Sequence, residues 1–188
     1  MLDHAAAEKL WKEYNTEDSQ YRHALAVEAA LRHFAKKYGE DEDFWGLVGF
    51  LHDVDYGRYP EEHLKHAREI LAPAGYPEAF IRAVESHGWG LCSDVEPIHV
   101  MEKALFAVDE LTGFITACAY VRPSKSILDL EVKSVKKKWG ALNFAAGCSR
   151  EVIEKGAAMM GLSLEDLIQE TILGMRPAAE AIGVKGSL

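Results

Sequence analysis

Apolar residues recur along this chain mostly at three- and four-residue intervals, and strict alternation over five or more residues is hard to find. That period predicts helices rather than strands. Helices are expected at about residues 3–15, 18–37, 41–53, 61–72, 77–87, 97–118, 124–138, 149–160 and 164–181, giving an all-α fold. The separators agree with this reading. Gly39 follows Lys36, Lys37 and Tyr38 as a helix C-cap, Pro60, Pro77 and Pro97 sit where a first helical turn tolerates proline, and Ser149 and Ser163 are placed as N-caps. No segment reads as a flexible linker and no period of 20 to 50 residues repeats, so one domain over 1–188 is expected. One apolar run, Gly46 to Leu51, leads straight into His52 and Asp53. A carboxylate beside an imidazole at the end of a buried helix costs several kcal/mol unless it is compensated. A metal ion is one compensation; a backbone cap by the Asp and a satisfied core His is the other.

Composition narrows the class. With 48% hydrophobic and 27% charged residues and only 15 Gly and 6 Pro in 188, the chain is globular rather than disordered or collagenous. Twenty-one basic against 30 acidic residues give a formal charge of −9. A nucleic-acid partner or an anionic membrane surface is therefore not expected, and any anion must find a local patch. Cys92, Cys118 and Cys148 are odd in number, far apart and without a CxxC pair, which signals neither a disulfide framework nor a thiolate zinc site. The first fifteen residues carry Asp3, Glu8 and Glu13, so no signal-like apolar run or membrane span is read there. The cytoplasm is the default expectation.

The eight histidines change the picture most, because imidazole is the common side chain of metal binding and proton transfer. His23 lies on a predicted helix with an apolar stripe of Ala24, Val27, Ala30, Leu31 and Phe34; His66 lies in EEHLKHAREIL; His87 ends AFIRAVESHGWG. Asp109 sits among Phe106, Ala107, Val108 and Leu111, where an unpaired acid is expensive. Helical folds build dinuclear metal sites from such residues converging from separate helices.

In this order, His23, His52-Asp53, His66, His87 and Asp109 resemble the six-ligand form of the HD-domain superfamily of metal-dependent phosphohydrolases. LVGFLHDVD resembles its apolar helix ending in His-Asp, HLKHAREILAPAGYPEAFIRAVESHG its stretch with two extra histidines, and ALFAVDELTG the helix that closes the signature. The resemblance covers roughly residues 20 to 125. It implies an HD-domain helical bundle, with a metal-binding core at about 18–123 and C-terminal helices at about 124–181 completing the pocket. It implies that His23, His52, Asp53 and Asp109 hold one divalent transition metal and His66 and His87 a second, Asp53 bridging, the metal being Fe, Mn, Co, Ni or Zn. The implied chemistry is cleavage of a phosphate ester or anhydride of a small phosphorylated metabolite or nucleotide by a metal-activated hydroxide. Many members carry a lysine shortly after the His-Asp pair; this chain reads Val54-Asp55-Tyr56-Gly57-Arg58, and Arg58 is the candidate replacement. His63, three residues before His66 and expected on about the same helix face, is a candidate outer-shell or substrate contact. Asp53, His63 and Arg58 are thus the catalytic candidates.

Between Lys125 and Lys138 five lysines stand against Asp129 and Glu131, a local +3 in an acidic chain. Arg22, Arg122, Lys125, Lys133 and Lys137 are candidate phosphate contacts, and Trp89, Trp139 and Phe144 are either core or the wall of a base pocket. This C-terminal part is similar to that of a subgroup of bacterial predicted HD hydrolases. Two other classes stay open on the same scaffold: a di-iron oxygenase, and a metal-containing ligand-binding or sensor module without turnover. A homodimer is the candidate assembly.

Overall fold

The computed structural model describes residues 3–188, and among these no strand forms. The helices are α1 (His4–Tyr14), α2 (Asp18–Tyr38), α3 (Glu42–Leu51), α4 (Ala67–Leu71), α5 (Glu78–Ser86), α6 (Val100–Tyr120), α7 (Val132–Trp139), α8 (Arg150–Met159), α9 (Leu164–Met175) and α10 (Ala179–Ile182). The two 21-residue helices, α2 and α6, each about 31 Å long at 1.5 Å per residue, form the axis of the molecule. Helices α3, α6 and α9 pack against α2, and α8 packs against α6. Phe34, Phe50, Phe80, Phe106 and Phe114 lie fully buried among them.

Two of these contacts are close because a glycine faces the neighbour. A Cβ on Gly49 would meet the Val27 carbonyl oxygen at 2.9 Å, and one on Gly156 the Ala107 Cα at 2.5 Å. The first lets α3 settle on α2 and the second α8 on α6.

The expected punctuation holds at several ends. Gly39 closes α2 at φ 72°, and the Ser149 and Ser163 hydroxyls accept from the amides of Val152 and Asp166 at the starts of α8 and α9. Other boundaries differ from the expected ones for identifiable reasons. The helix expected over 61–72 begins only at Ala67, because Pro60–Glu62 make a 3-10 turn and Leu64 takes a left-handed φ of 68°. The helix expected from 97 starts at Val100, where His99 and Glu102 form a capping box. The segment expected to be helical from 124 stays irregular to Glu131, with Arg122 clamping Asp129, and Pro177 divides the expected 164–181 helix into α9 and α10. No helix among the described residues is long and apolar enough to cross a membrane.

Candidate metal centre

The apolar face of α3 anchors the helix, and its chemistry begins where it ends. His52 is the C-cap residue of α3 and His87 that of α5, so both rings project from helix C-termini, whose dipoles favour a cation. His23 comes from α2 and Asp109 from the middle of α6. Their side chains converge with Asp53 and His63 into one cluster.

Asp53 stands at the centre with its two oxygens facing different partners. Oδ2 lies 3.2 Å from His52 Nε2 and 3.9 Å from His23 Nε2, whereas Oδ1 lies 3.2 Å from His63 Nε2 and 3.4 Å from His87 Nε2. Asp109 Oδ1 completes the first group at 2.9 Å from His23 Nε2 and 3.3 Å from His52 Nε2. His23, His52 and Asp109 each offer a ligand atom at metal-site spacing, and so do His52, Asp53 and His87.

What lies behind the rings fixes which nitrogen they present. The His52 Nδ1–H donates to the Gly49 carbonyl at 2.7 Å and the His87 Nδ1–H to the Val84 carbonyl at 2.6 Å. The His63 Nδ1–H donates to Asp55 at 2.9 Å, and His23 Nδ1 faces the Thr112 hydroxyl at 3.5 Å. A neutral ring that donates from Nδ1 offers Nε2 as its ligand atom, so His52, His63 and His87 are held with Nε2 facing inward, and His23 Nε2 faces the same centre. His63 Nε2 and His87 Nε2 stand 3.2 Å apart, and fully buried His52 Nε2 finds no aligned hydrogen-bond partner. Converging acceptors of this kind fit divalent cations with nitrogen and oxygen ligands.

The electrostatics carry the same sign. Burial alone would raise the Asp53 and Asp109 carboxyls, but His52 outweighs it, helped by His63 and His87 at Asp53 and by His23 at Asp109, and both stay well below the usual carboxylate range. Burial would lower His52 and His63, yet Asp53 with Asp109 raises the first well above its ordinary value, and Asp53 with Asp55 lifts the second to about 9. Charge on the His52 and His63 rings thus offsets the ionised carboxylates in the absence of a metal, and a metal would displace those ring protons.

His66 is not brought to this cluster. Its ring stacks on Tyr59 at 4.0 Å and points its nitrogens at Glu62 and Glu69, at 3.2 and 3.3 Å. The expected continuous helix would have set His63 and His66 on one face; the turn at Leu64 sends His63 inward and His66 outward. Arg58 also departs from expectation. It donates to the Glu13 carbonyl and stacks on Tyr14 at 4.3 Å, away from the carboxylates.

Beside the cluster opens a cavity of about 370 Å³, bordered by Tyr56, Leu91, Cys92, Glu110, Cys148 and Val152. Cys148 and Val152 show that the segment leading into α8 forms part of its wall. Glu110 gives one carboxylate oxygen to the Ser149 amide at 3.2 Å, and its carboxyl is raised by burial and by Asp109. No lysine or arginine lines this cavity among the described residues. Arg22 borders a neighbouring one. Arg122 is spent on Asp129 and Ser134, Lys125 is exposed, and Lys133 and Lys137 face outward because α7 buries Val135 instead. Trp139 and Phe144 pack on Phe114, and Trp89 lies beneath Lys155 near Phe106, so all three serve packing.

Sequence reasoning missed Asp55, which is fully buried and holds both the His63 ring and the His66 amide, and Thr112 behind His23. The acid two residues after Asp53 was a readable signal for the first; nothing marked the second. The remaining histidines do structural work: His4 meets Glu28, His33 meets Glu170, and His99 caps α6.

No curated protein and no solved structure matches the chain. Residues 21–112 match the model of the HD domain family, a span that runs from the start of α2 to Thr112 and takes in every member of the cluster. The all-α fold and the His/Asp cluster agree with that match.

Proposed function

We propose that the chain is a metal-dependent phosphohydrolase that cleaves a phosphate ester or anhydride of a small metabolite or nucleotide. The observation that carries this reading is the set of Nε2 atoms facing two carboxylates, with the rings of His52, His63 and His87 held from behind. His23, His52, Asp109 and Asp53 Oδ2 would hold one cation, and His63, His87 and Asp53 Oδ1 a second. His63 thus takes the role expected of His66, and the metal-site role of Asp53 as a bridge rests on its two oxygens facing opposite ways. Bound cations supply the Lewis acidity that acidifies a water molecule and neutralises charge on the phosphoryl oxygens.

The chain's own residues do the rest. Asp55 orients the His63 ring, and the Gly49 and Val84 carbonyls orient His52 and His87. Asp53 and Asp109 keep 27% and 20% side-chain exposure, so a substrate entering the cavity can reach them. Tyr56, Leu91 and Val152 border the cavity and offer apolar contacts to the organic part of a bound ester.

Elemental analysis of metal-replete protein, followed by phosphate release from nucleotides and sugar phosphates with Mn, Co, Ni and Fe, tests the proposal. Near two metals per chain with phosphate release is expected. Iron-dependent O₂ consumption without phosphate release would point instead to the oxygenase class, and tight metal binding with neither reaction to a sensor module.

A further inference from the structure

The basic helix α7 takes no part in the metal cavity, which leaves its charge without an assigned use. From Val132 to Arg150 the chain carries four lysines and one arginine and no acid, in a protein of net charge −9. Lys136 pairs with Glu165 at 2.6 Å, whereas Lys133 and Lys137 are exposed and have no carboxylate partner among the described residues.

Just past these lysines, Leu142 is 81% exposed, more than any other large apolar side chain described. That exposure is built into the loop. The Arg150 guanidinium donates to the carbonyls of Ala141, Phe144, Ala145 and Cys148 at 3.1, 2.5, 3.0 and 3.1 Å, and it stacks on Phe114 at 4.6 Å. The loop is held from inside, and Leu142 stands out from it as a fixed apolar knob, its geometry set before any partner arrives.

The complementary surface lies at the other end of α6. A groove of about 470 Å³ opens between the starts of α3 and α6, lined by Phe44, Trp45 and Met101 and edged by Ile98, itself 64% exposed. Four successive acids, Glu40, Asp41, Glu42 and Asp43, follow one another at its edge, and all four are exposed. Arg82 is the one arginine or lysine lining the groove, and it is tied to Glu102 at 3.0 Å and to the Glu96 carbonyl at 2.7 Å. Asp43 pairs with Arg32 at 2.6 Å, but Glu40 and Glu42 have no cationic partner among the described residues. Trp139 of α7 packs on Phe114, 13 residues along α6 from Met101, or about 20 Å at 1.5 Å per residue. The knob of one copy therefore does not fill its own groove.

We propose that this groove receives the Leu142 knob of a second copy of the chain, with the α7 lysines set against Glu40–Asp43. An apolar centre with opposite charges around it is the usual build of a specific contact, and both halves of that build are present on one chain. Knob and groove are different surfaces, so the contact is heterologous. It involves no metal ligand and is independent of the reaction proposed above.

Sedimentation velocity of the parent, carried to about 0.5 mM because a contact of this size is transient, is expected to show a weight-average mass that rises with concentration to at least half as large again as one chain. Raising NaCl from about 0.05 M to about 0.5 M cuts the reach of exposed charges to a few ångströms and is expected to weaken the assembly at least tenfold. Lys133→Glu with Lys137→Glu, Glu40→Lys with Glu42→Lys, and Leu142→Asp all change exposed side chains, and each of the three variants is expected to stay monomeric. An equimolar mixture of the lysine-reversed and glutamate-reversed chains sets opposite charges face to face again and is expected to assemble. A parent that is monomeric over the whole range overturns the proposal. So does assembly that survives salt or any one of the three variants, and so does a mixture that stays monomeric. Lysine-dependent binding to phosphatidylserine vesicles or to single-stranded DNA by a parent that stays monomeric assigns the basic face to another partner and equally overturns it.

Discussion

Replacing Asp55 by asparagine changes one oxygen to an NH₂ group at a fully buried position. Both partners of that side chain are donors: the His63 Nδ1–H reaches Oδ1 at 2.9 Å, and the His66 amide reaches Oδ2 at 3.3 Å. Asparagine can accept from only one of them, and its own NH₂ must face the other. If the ring loses its acceptor, His63 is free to turn or to change tautomer, and Nε2 ceases to face Asp53 Oδ1. Groups that hold a metal-ligating histidine from behind are worth about 10–100-fold in metal affinity, or about 1.4–2.7 kcal/mol. Calorimetric titration of metal-free protein with Mn²⁺ or Zn²⁺ is therefore expected to show one site weakened by that factor, the one built on His63 and His87, and the site on His23, His52 and Asp109 close to its parent value. His66→Ala removes a ring that touches only Tyr59, Glu62 and Glu69, and both sites are expected to persist. Unchanged affinities in Asp55→Asn, or loss of a site in His66→Ala, would refute the assignment of His63.

The contact between α6 and α8 makes a stability prediction: in Gly156→Ala the added carbon falls 2.5 Å from the Ala107 Cα, and overpacking of this kind costs about 1–3 kcal/mol, lowering the melting temperature by roughly 2–4 °C for each kcal/mol. Glu170 ties α9 to α2 through His33 at 2.6 Å and Lys37 at 2.7 Å. Burial raises its carboxyl, but Lys37 and His33 outweigh it and hold it below the ordinary 4.5. A depressed carboxyl stabilises the fold fully above about 4.5 and loses that contribution as pH falls through the lowered native value. Glu170→Gln should thus cost about 0.5–1 kcal/mol in urea unfolding at pH 7 and converge with the parent in strong acid; a gap that persists there would show that the charge is not responsible.

The periodicity of apolar residues carried the all-α fold, because most of the helices lay a stripe on a shared core and few apolar segments alternate. It carried the ends of α2, α8 and α9, where a single residue type closes or opens the helix. It failed over 61–72, since nothing in Glu62-His63-Leu64-Lys65 announces that Leu64 takes a left-handed backbone. That one dihedral decides which of two histidines three positions apart faces Asp53. His23, His52, Asp53, His87 and Asp109 were legible because each stands where a polar group interrupts an apolar helix or its end. The cavity walls were not legible, because Cys148, Leu91 and Val152 come from segments whose position depends on how α5, α6 and α8 dock. The lysines of α7 misled for a related reason: charge counts along the chain do not say which way a short helix turns once Val135 claims the inside.

His23 and Asp109 meet at 2.9 Å across 86 positions of sequence. An unfolded chain brings no such group of ligands together, so a cation held at this centre stabilises the native state alone, by about 2.7 kcal/mol when free metal stands at a hundred times its dissociation constant. That is a sizeable part of the margin by which a domain of ordinary stability stays folded. Under the proposed function, metal supply would govern how long each molecule survives proteolysis as well as how fast it turns over, and a cell short of the ion would hold fewer copies of the protein rather than a reserve of idle ones.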